Sequence, residues 1–355
     1  MSTMFNFTGS LLPVISKHNE NAFFSPYSID SAFTIVAHGA SGTTAEEMWN
    51  TLPEERDRYK GLKDSSSVDV ANAAWLQEGI EVFPEYKKML ETYRAEIAHA
   101  DFATNAEGAR KRVNKWVYEK TKERIKDILP PNSLDQYTKL VIANAIYFKS
   151  SWLEEFNKDL TRDDWFESPE GRAQVKMMHA SGRSVGMMED SIYSAVILPY
   201  KDTKMDMLIV LPKSESMRPQ VESEFARILA ESKDWDRVHY EKLDVLQIPK
   251  FKLETDYDLI PSMSQLGMNI VFTDYSKLDK ISPQEPNLFI SAAFHKAFVE
   301  VDEEGTEAAA ATAIGVSRSF SANIRTKTFR ADHPFLFAIR NDGDPVFAGR
   351  FANPA

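Results

Sequence analysis

The spacing of apolar residues changes along this chain. Ser28 to Ala40 carries them at helical intervals and ends near Gly39 and Gly42. Pro84 to Ile97 is a second amphipathic stretch, with Pro84 suited to a first helical turn. Gly108 to Leu129 is a third, with Val113, Trp116, Val117, Ile125 and Ile128 on one stripe, and Pro130-Pro131 stops it. The first third therefore predicts helices, and the middle and end predict strands. Leu140 to Phe148 is a nearly continuous apolar run, as in a central strand buried on both faces. Ala195–Tyr200 and Met205–Pro212 form a strand pair. Val245 to Leu253, Leu288 to Ile290 and Ala297 to Val301 are also strand-like. Phe335–Ile339 and Val346–Gly349 are joined by Asn341-Asp342-Gly343-Asp344, whose Asp-Gly predicts a hairpin. No Gly/Ser-rich linker and no internal repeat separates the two parts. One α+β unit over residues 1–355 is expected rather than two domains.

One stretch stands apart. Glu303-Glu304-Gly305-Thr306-Glu307-Ala308-Ala309-Ala310-Ala311-Thr312 passes without a large apolar side chain, directly after Ala297–Val301. Propensity makes the Ala run a helix, capped near Thr306. Alternation makes it a strand. Thr306, Ala308, Ala310, Thr312, Ile314 and Val316 share an uncharged face, and Glu307, Ala309, Ala311, Ala313, Gly315 and Ser317 share the other. Ile314 to Phe320 has no helical period. Small side chains let such a segment enter a tight slot, so it reads as a mobile loop able to become a strand inside a sheet. The short helix is the alternative.

Composition narrows the function classes. The chain has 355 residues, 43% hydrophobic and 27% charged, which is ample for a folded core. A net charge of −11 argues against nucleic acid as a partner, because no basic excess is available for phosphates. With no cysteine there are no disulfides, thiolate metal sites or Cys nucleophile. Met1 to Leu12 lacks the basic start and apolar run of a signal peptide, and no apolar run is long enough to span a bilayer. The expectation is a cytoplasmic protein, or one released without a leader.

Enzyme chemistry finds little support. Gly182-Arg183-Ser184-Val185-Gly186 fits the G-x-S-x-G pattern of a nucleophile elbow, but no helix signal follows it. Of the seven histidines, no two lie at i, i+4, and there is no HExxH, P-loop or GxGxxG. No metal and no cofactor is expected. His295, between strand-like runs, reads as a hydrogen-bonded core residue.

Several ordered landmarks carry a family resemblance. They are Asn21 to Ile29, Asn144-Ala145-Ile146-Tyr147-Phe148-Lys149 through Trp152, Leu198-Pro199-Tyr200 and Ile248-Pro249-Lys250-Phe251. Val301 to Ala308, His333 to Phe337 and Gly349 to Pro354 continue the series. Together they resemble the serpins, serine-protease inhibitors that act as suicide substrates, over nearly the whole chain. Ser150-Ser151 departs from the family, which usually has a Gly there, and the segment around Lys60 to Val68 is short.

The resemblance implies an α+β serpin fold of three β-sheets and eight to nine helices, in a single domain, with an exposed reactive-centre loop from about Glu303 to Thr328. A protease cuts this loop, and the cut loop inserts as a new strand of the main sheet, an established serpin transition. By position, Ser25, Ser28, Asn144 and His295 match the polar cluster beneath the opening sheet. Trp152 matches the tryptophan where insertion begins, and Lys250 and Glu303 match an ion pair beside it. Counting from Glu303 gives Ser319–Phe320 as the reactive bond, with Arg318–Ser319 as runner-up. The implied partner is a serine protease of the chymotrypsin fold (trypsin-, cathepsin G- or elastase-like), met by a monomer. Polyanion cofactors find little support in the acidic balance. A non-inhibitory serpin, serving as carrier, chaperone or storage protein, is the competing expectation, although the uninterrupted small residues of the hinge favour an inhibitor.

Overall fold

The computed structural model describes residues 3–54, 67–93, 95–234, 236–285, 288–306 and 326–354. In chain order the strands are β1 (Ala22–Phe24), β2 (Val68–Gln77), β3 (Glu96–Ala100), β4 (Leu140–Phe148), β5 (Ser150–Ser151), β6 (Arg162–Ser168), β7 (Gly171–Ala180), β8 (Arg183–Glu189) and β9 (Tyr193–Pro199). They continue with β10 (Met205–Pro212), β11 (His239–Leu243), β12 (Val245–Pro249), β13 (Phe251–Asp258), β14 (Ala292–Val301), β15 (Gly305–Thr306), β16 (Thr328–Arg330), β17 (Phe335–Asn341) and β18 (Asp344–Phe351). Eight α-helices occur among the described residues. They are α1 (Met4–Ile15), α2 (Pro26–His38), α3 (Gly42–Thr51), α4 (Pro84–Tyr93), α5 (Phe102–Lys120), α6 (Arg218–Ser223), α7 (Phe225–Glu231) and α8 (Leu259–Gln265). The strands make three sheets. The described residues of 1–15, 24–147 and 254–298 form one compact unit, and those of 16–23, 148–253 and 299–354 another.

In the first unit the sheet runs β3-β2-β4-β14. Every residue of β4 is buried, as its unbroken apolar run requires. β4 lies parallel to β14, directly hydrogen-bonded, from Val141 opposite Ala292 to Tyr147 opposite Phe298. α5 covers this sheet. Phe102, Ala109, Val113 and Val117 pack with Ala71, Ala73 and Trp75 of β2 and with Val141, Ala143 and Ala145 of β4. α2 starts at Ser25, whose hydroxyl accepts the Ser28 N–H at 3.0 Å, with Pro26 in the first turn.

Three sequence expectations need correction here. The second amphipathic stretch is helical only to Tyr93, and Ile97 sits in β3 opposite Ala74. The third ends at Lys120. Beyond it Lys122, Glu123 and Asp127 adopt positive φ, and Ile125, Ile128 and Leu129 reach the same core from irregular backbone. Their apolar spacing reported burial, not helix. Leu288 to Ile290 forms no strand, although Leu288 and Ile290 are fully buried.

The second unit holds a sheet of order β1-β18-β17-β10-β9-β8-β11 and a smaller one of order β16-β12-β7-β6. β9 and β10 pair antiparallel, and the β17–β18 turn places Asp342 and Gly343 at φ of 49° and 80°, the geometry of a tight hairpin. Phe251 anchors an aromatic core, with ring centroids 5.3 Å from Phe337 and 4.9 Å from Phe351. The buried Arg350 donates to the carbonyls of Lys17 and Glu20 and to Glu222, while Asn21 Oδ1 accepts the N–H groups of Ala352 and Asn353.

Candidate functional site

Residues 302–306 leave the end of β14 through a tight turn in the second unit. Asp302 Oδ1 accepts the N–H groups of Glu304 (2.9 Å) and Gly305 (3.2 Å), which folds the chain back. Thr306 then pairs antiparallel with Val301 of β14 and with Ser150 of β5, and Gly305 pairs with Ser151. Gly305 is required on two counts. Its φ is +151°, and a Cβ would lie 2.3 Å from the Ser150 carbonyl oxygen and 2.5 Å from Ser151 Cα. The Thr306 side chain is fully buried, with its hydroxyl 2.9 Å from that of Tyr200.

Trp152 and Phe156 hold this turn. The Trp152 amide donates to the Glu304 carbonyl, its indole Nε1 to the Asp302 carbonyl, and the Phe156 amide to the Glu303 carbonyl, at 2.8–2.9 Å. Trp152 in turn stacks on Tyr200 at 4.6 Å between centroids. Glu303 and Glu304 are both buried. Glu303 receives Lys250 Nζ and the Thr161 hydroxyl, each at 2.7 Å, and Glu304 pairs with Lys158. Burial pushes the Glu303 carboxyl up, but Lys250 and Thr161 outweigh it and hold the group below its ordinary range. Burial raises Asp302 despite the two amides it accepts. The sequence reading made Glu303 onward a mobile loop. Instead Glu303–Thr306 is buried and Gly305–Thr306 is already strand, because two lysines neutralise the carboxylates and Asp302 supplies the turn. Of the proposed hinge, Glu307, Ala308, Ala309, Ala310, Ala311 and Thr312 lie outside the described residues, as do Arg318, Ser319 and Phe320.

A second cluster lies in the first unit on the β4–β14 seam. His295 and Asn144 are register partners on the two strands. His295 Nδ1 bonds Asn144 Oδ1, while Nε2 accepts the Ser25 amide at 3.1 Å. That fixes a neutral ring with its proton on Nδ1. Asn144 Nδ2 donates to the Ser28 carbonyl (2.8 Å) and hydroxyl (2.7 Å), and to Asn72 Oδ1. His295 is fully buried, and burial pushes its pKa down to about 3. Asn144, Ser28, Ser25 and His295 therefore meet as one network.

Sequence reasoning missed Asn72, Tyr200, Lys158, Thr161 and Asp302 as members of these clusters. Asn72 had a legible signal. Ala71-Asn72-Ala73 repeats the Ala143-Asn144-Ala145 tripeptide, an amide set among small residues on a neighbouring strand. The G-x-S-x-G segment lies instead on β8, with Ser184 exposed opposite Lys242 of β11. Among the described residues no group of three or more His, Asp or Glu is placed to hold a metal ion, and no helix is long and apolar enough to cross a membrane.

Comparison with known proteins bears on the whole chain. A family model for Serpin (serine protease inhibitor) matches residues 2–354. An uncharacterized serpin-like protein of Thermococcus kodakarensis is 37% identical, over 98% of this chain and 84% of its own. Human leukocyte elastase inhibitor is 35% identical, over 98% and 97%. Among solved structures, Serpin48 of the insect Tenebrio molitor matches with a TM-score of 0.86 at 29% identity, over 99% of this chain and 97% of that one. A likeness that runs from end to end, in sequence and in the three sheets alike, leaves one assignment: this chain belongs to the serpin family.

Proposed function

We propose that this protein inhibits a serine protease of the chymotrypsin fold as a suicide substrate, acting as one serpin domain and not as an enzyme. The protease serine attacks the Ser319 carbonyl, an acyl-enzyme forms, and the amine of Phe320 departs. The freed loop then extends β15 between β4 and β14. The tethered protease is carried away with its oxyanion hole distorted, and deacylation stalls.

The observation that carries this reading is one of register. β15 pairs with Val301 on one side and with Ser150 and Ser151 on the other, in the same frame that aligns β14 with β4. A strand continuing from Thr306 would set Ala308 opposite Val299 and Phe148, and Gly315 opposite Ala292 and Val141. Thr312 would fall opposite both His295 and Asn144. Insertion therefore needs no slippage, and a threonine hydroxyl arrives where those two side chains lose each other. Even-numbered residues from Ala308 to Val316 would share the buried face of Thr306, and these are the small or apolar ones. Each backbone hydrogen bond gained contributes a net of about 1 kcal/mol. Extension from Thr306 to Ser319 moves the cut end on the order of 45 Å. The uncut state, with β4 directly on β14, is then held kinetically above a more stable inserted one.

The test incubates the protein with trypsin, chymotrypsin, cathepsin G and elastase separately. Denaturing gels should show a stable complex with at least one of them, and mass spectrometry of the released peptide should begin at Phe320. Thr306→Arg would drive an unpaired charge into the slot beside Tyr200, so complexes should vanish while cleavage continues. Full inhibition by that variant would overturn the hinge assignment. Cleavage of the unsubstituted protein by every protease, with no complex and no rise in heat stability, would favour a non-inhibitory role.

A further inference from the structure

Five arginines are buried among the described residues: Arg110, Arg183, Arg218, Arg340 and Arg350. Four of them each donate hydrogen bonds to at least two residues, as Arg340 does to Asp206 and Ser232. Arg183, the first residue of β8, differs. It is 6% exposed, and its Nη1 is an enclosed donor without a hydrogen-bond partner. Glu154, itself 61% exposed, stands 3.7 Å from Nε, beyond hydrogen-bond reach. Burial pushes the Arg183 pKa down to about 10. Within the G-x-S-x-G segment, then, Arg183 points inward while Ser184 is exposed.

The place of this cation gives it a consequence. Its guanidinium carbon lies 4.7 Å from the centroid of the Phe156 ring. The ring face attracts the charge but offers its N–H groups no oxygen. The Phe156 amide donates to the Glu303 carbonyl at 2.8 Å, and its ring meets Trp152 edge-on, with centroids 6.4 Å apart. The under-bonded cation therefore sits one side chain behind the 302–306 turn. A buried charge whose donors go unmet weakens a fold, and an apolar side chain of similar size strengthens it.

We propose that Arg183 is a built-in weakness of the uncut protein, placed so that the 302–306 turn opens more readily than an apolar side chain there would allow. Its benefit, easier insertion of the cut loop, rests on the protease reading, whereas the weakness itself does not. Arg183→Met keeps an unbranched side chain against Phe156 but removes the charge and the donors. The variant should melt at least about 3 °C higher. Hydrogen exchange, read by mass spectrometry on peptides spanning residues 150–157, should slow at least about threefold. Arg183→Lys, which keeps the charge, should do neither. An Arg183→Met protein that fails to fold, melts no higher or exchanges no more slowly would overturn the proposal, as would equal stabilisation by Arg183→Lys. With a protease that the unsubstituted protein traps, Arg183→Met should also shift the products from complex to simple cleavage by at least about twofold. An unchanged ratio would overturn the link to insertion. Should the unsubstituted protein trap no protease, the inhibitor reading falls, while melting and exchange still decide the role of Arg183.

Discussion

Mild acid should weaken the fold through His295, and the size of the effect follows from where the ring sits. The ring is fully buried among Ser25, Asn144 and the stacked ring of Tyr257, all neutral. Burial pushes its pKa from an ordinary 6.5 to about 3. The unfolded chain takes up a proton near pH 6.5, whereas the folded chain resists until about pH 3. The neutral ring's contribution is thus whole above pH 6.5 and is lost progressively as the pH falls towards 3. At about 1.4 kcal/mol per pH unit, the loss is about 2 kcal/mol at pH 5. Urea unfolding of the unsubstituted protein and of His295→Gln, at pH 7.5, 6 and 5, isolates this term. Gln cannot titrate, yet it can accept the Ser25 amide and donate to Asn144. His179 and His333 are common to both proteins and cancel. The unsubstituted protein should lose about 2 kcal/mol more than the variant between pH 7.5 and 5. Parallel profiles would refute the claim that the seam histidine must stay neutral.

Two further outcomes are expected at the turn and at the rejected motif. Gly305→Ala puts a methyl within 2.3 Å of the Ser150 carbonyl and forces an L-residue into φ of +151°, so thermal denaturation should report a loss of roughly 2–4 kcal/mol. Its complexes with a susceptible protease should decline in favour of simple cleavage, as seen on denaturing gels. Ser184→Ala, on the exposed face of β8, should leave inhibition rates within twofold and stability within about 0.5 kcal/mol.

How much was legible in the sequence depended on what the side chains reported. Leu140–Phe148 announced its depth because a strand buried on both faces has no polar alternative, and Asp342-Gly343 announced its turn because both residues tolerate positive φ. Ile125, Ile128 and Leu129 misled because a core demands apolar residues from irregular backbone as readily as from helix. β2 was missed because six of the ten residues of Val68–Gln77 are alanine or polar, and its place is fixed by β3 and by the α5 residues packed over it. The burial of Glu303 and Glu304 was illegible in principle. It rests on Lys158, Thr161 and Lys250, between 53 and 146 residues away in sequence, and no local pattern encodes such partners.

The way β18 is tied in changes what a backbone cut means for this molecule. β18 lies between β1 and β17, and Arg350 and Asn21 bind residues from the two ends of the chain to each other. The strands β17 and β18 are therefore buried almost throughout, interior material and not a tail. Scission anywhere between 307 and 325 would leave two polypeptides in one particle, without a covalent link between them. Sizing under native conditions would report an intact protein, and only a denaturant would reveal two chains. For this fold, covalent continuity and physical integrity are separate properties.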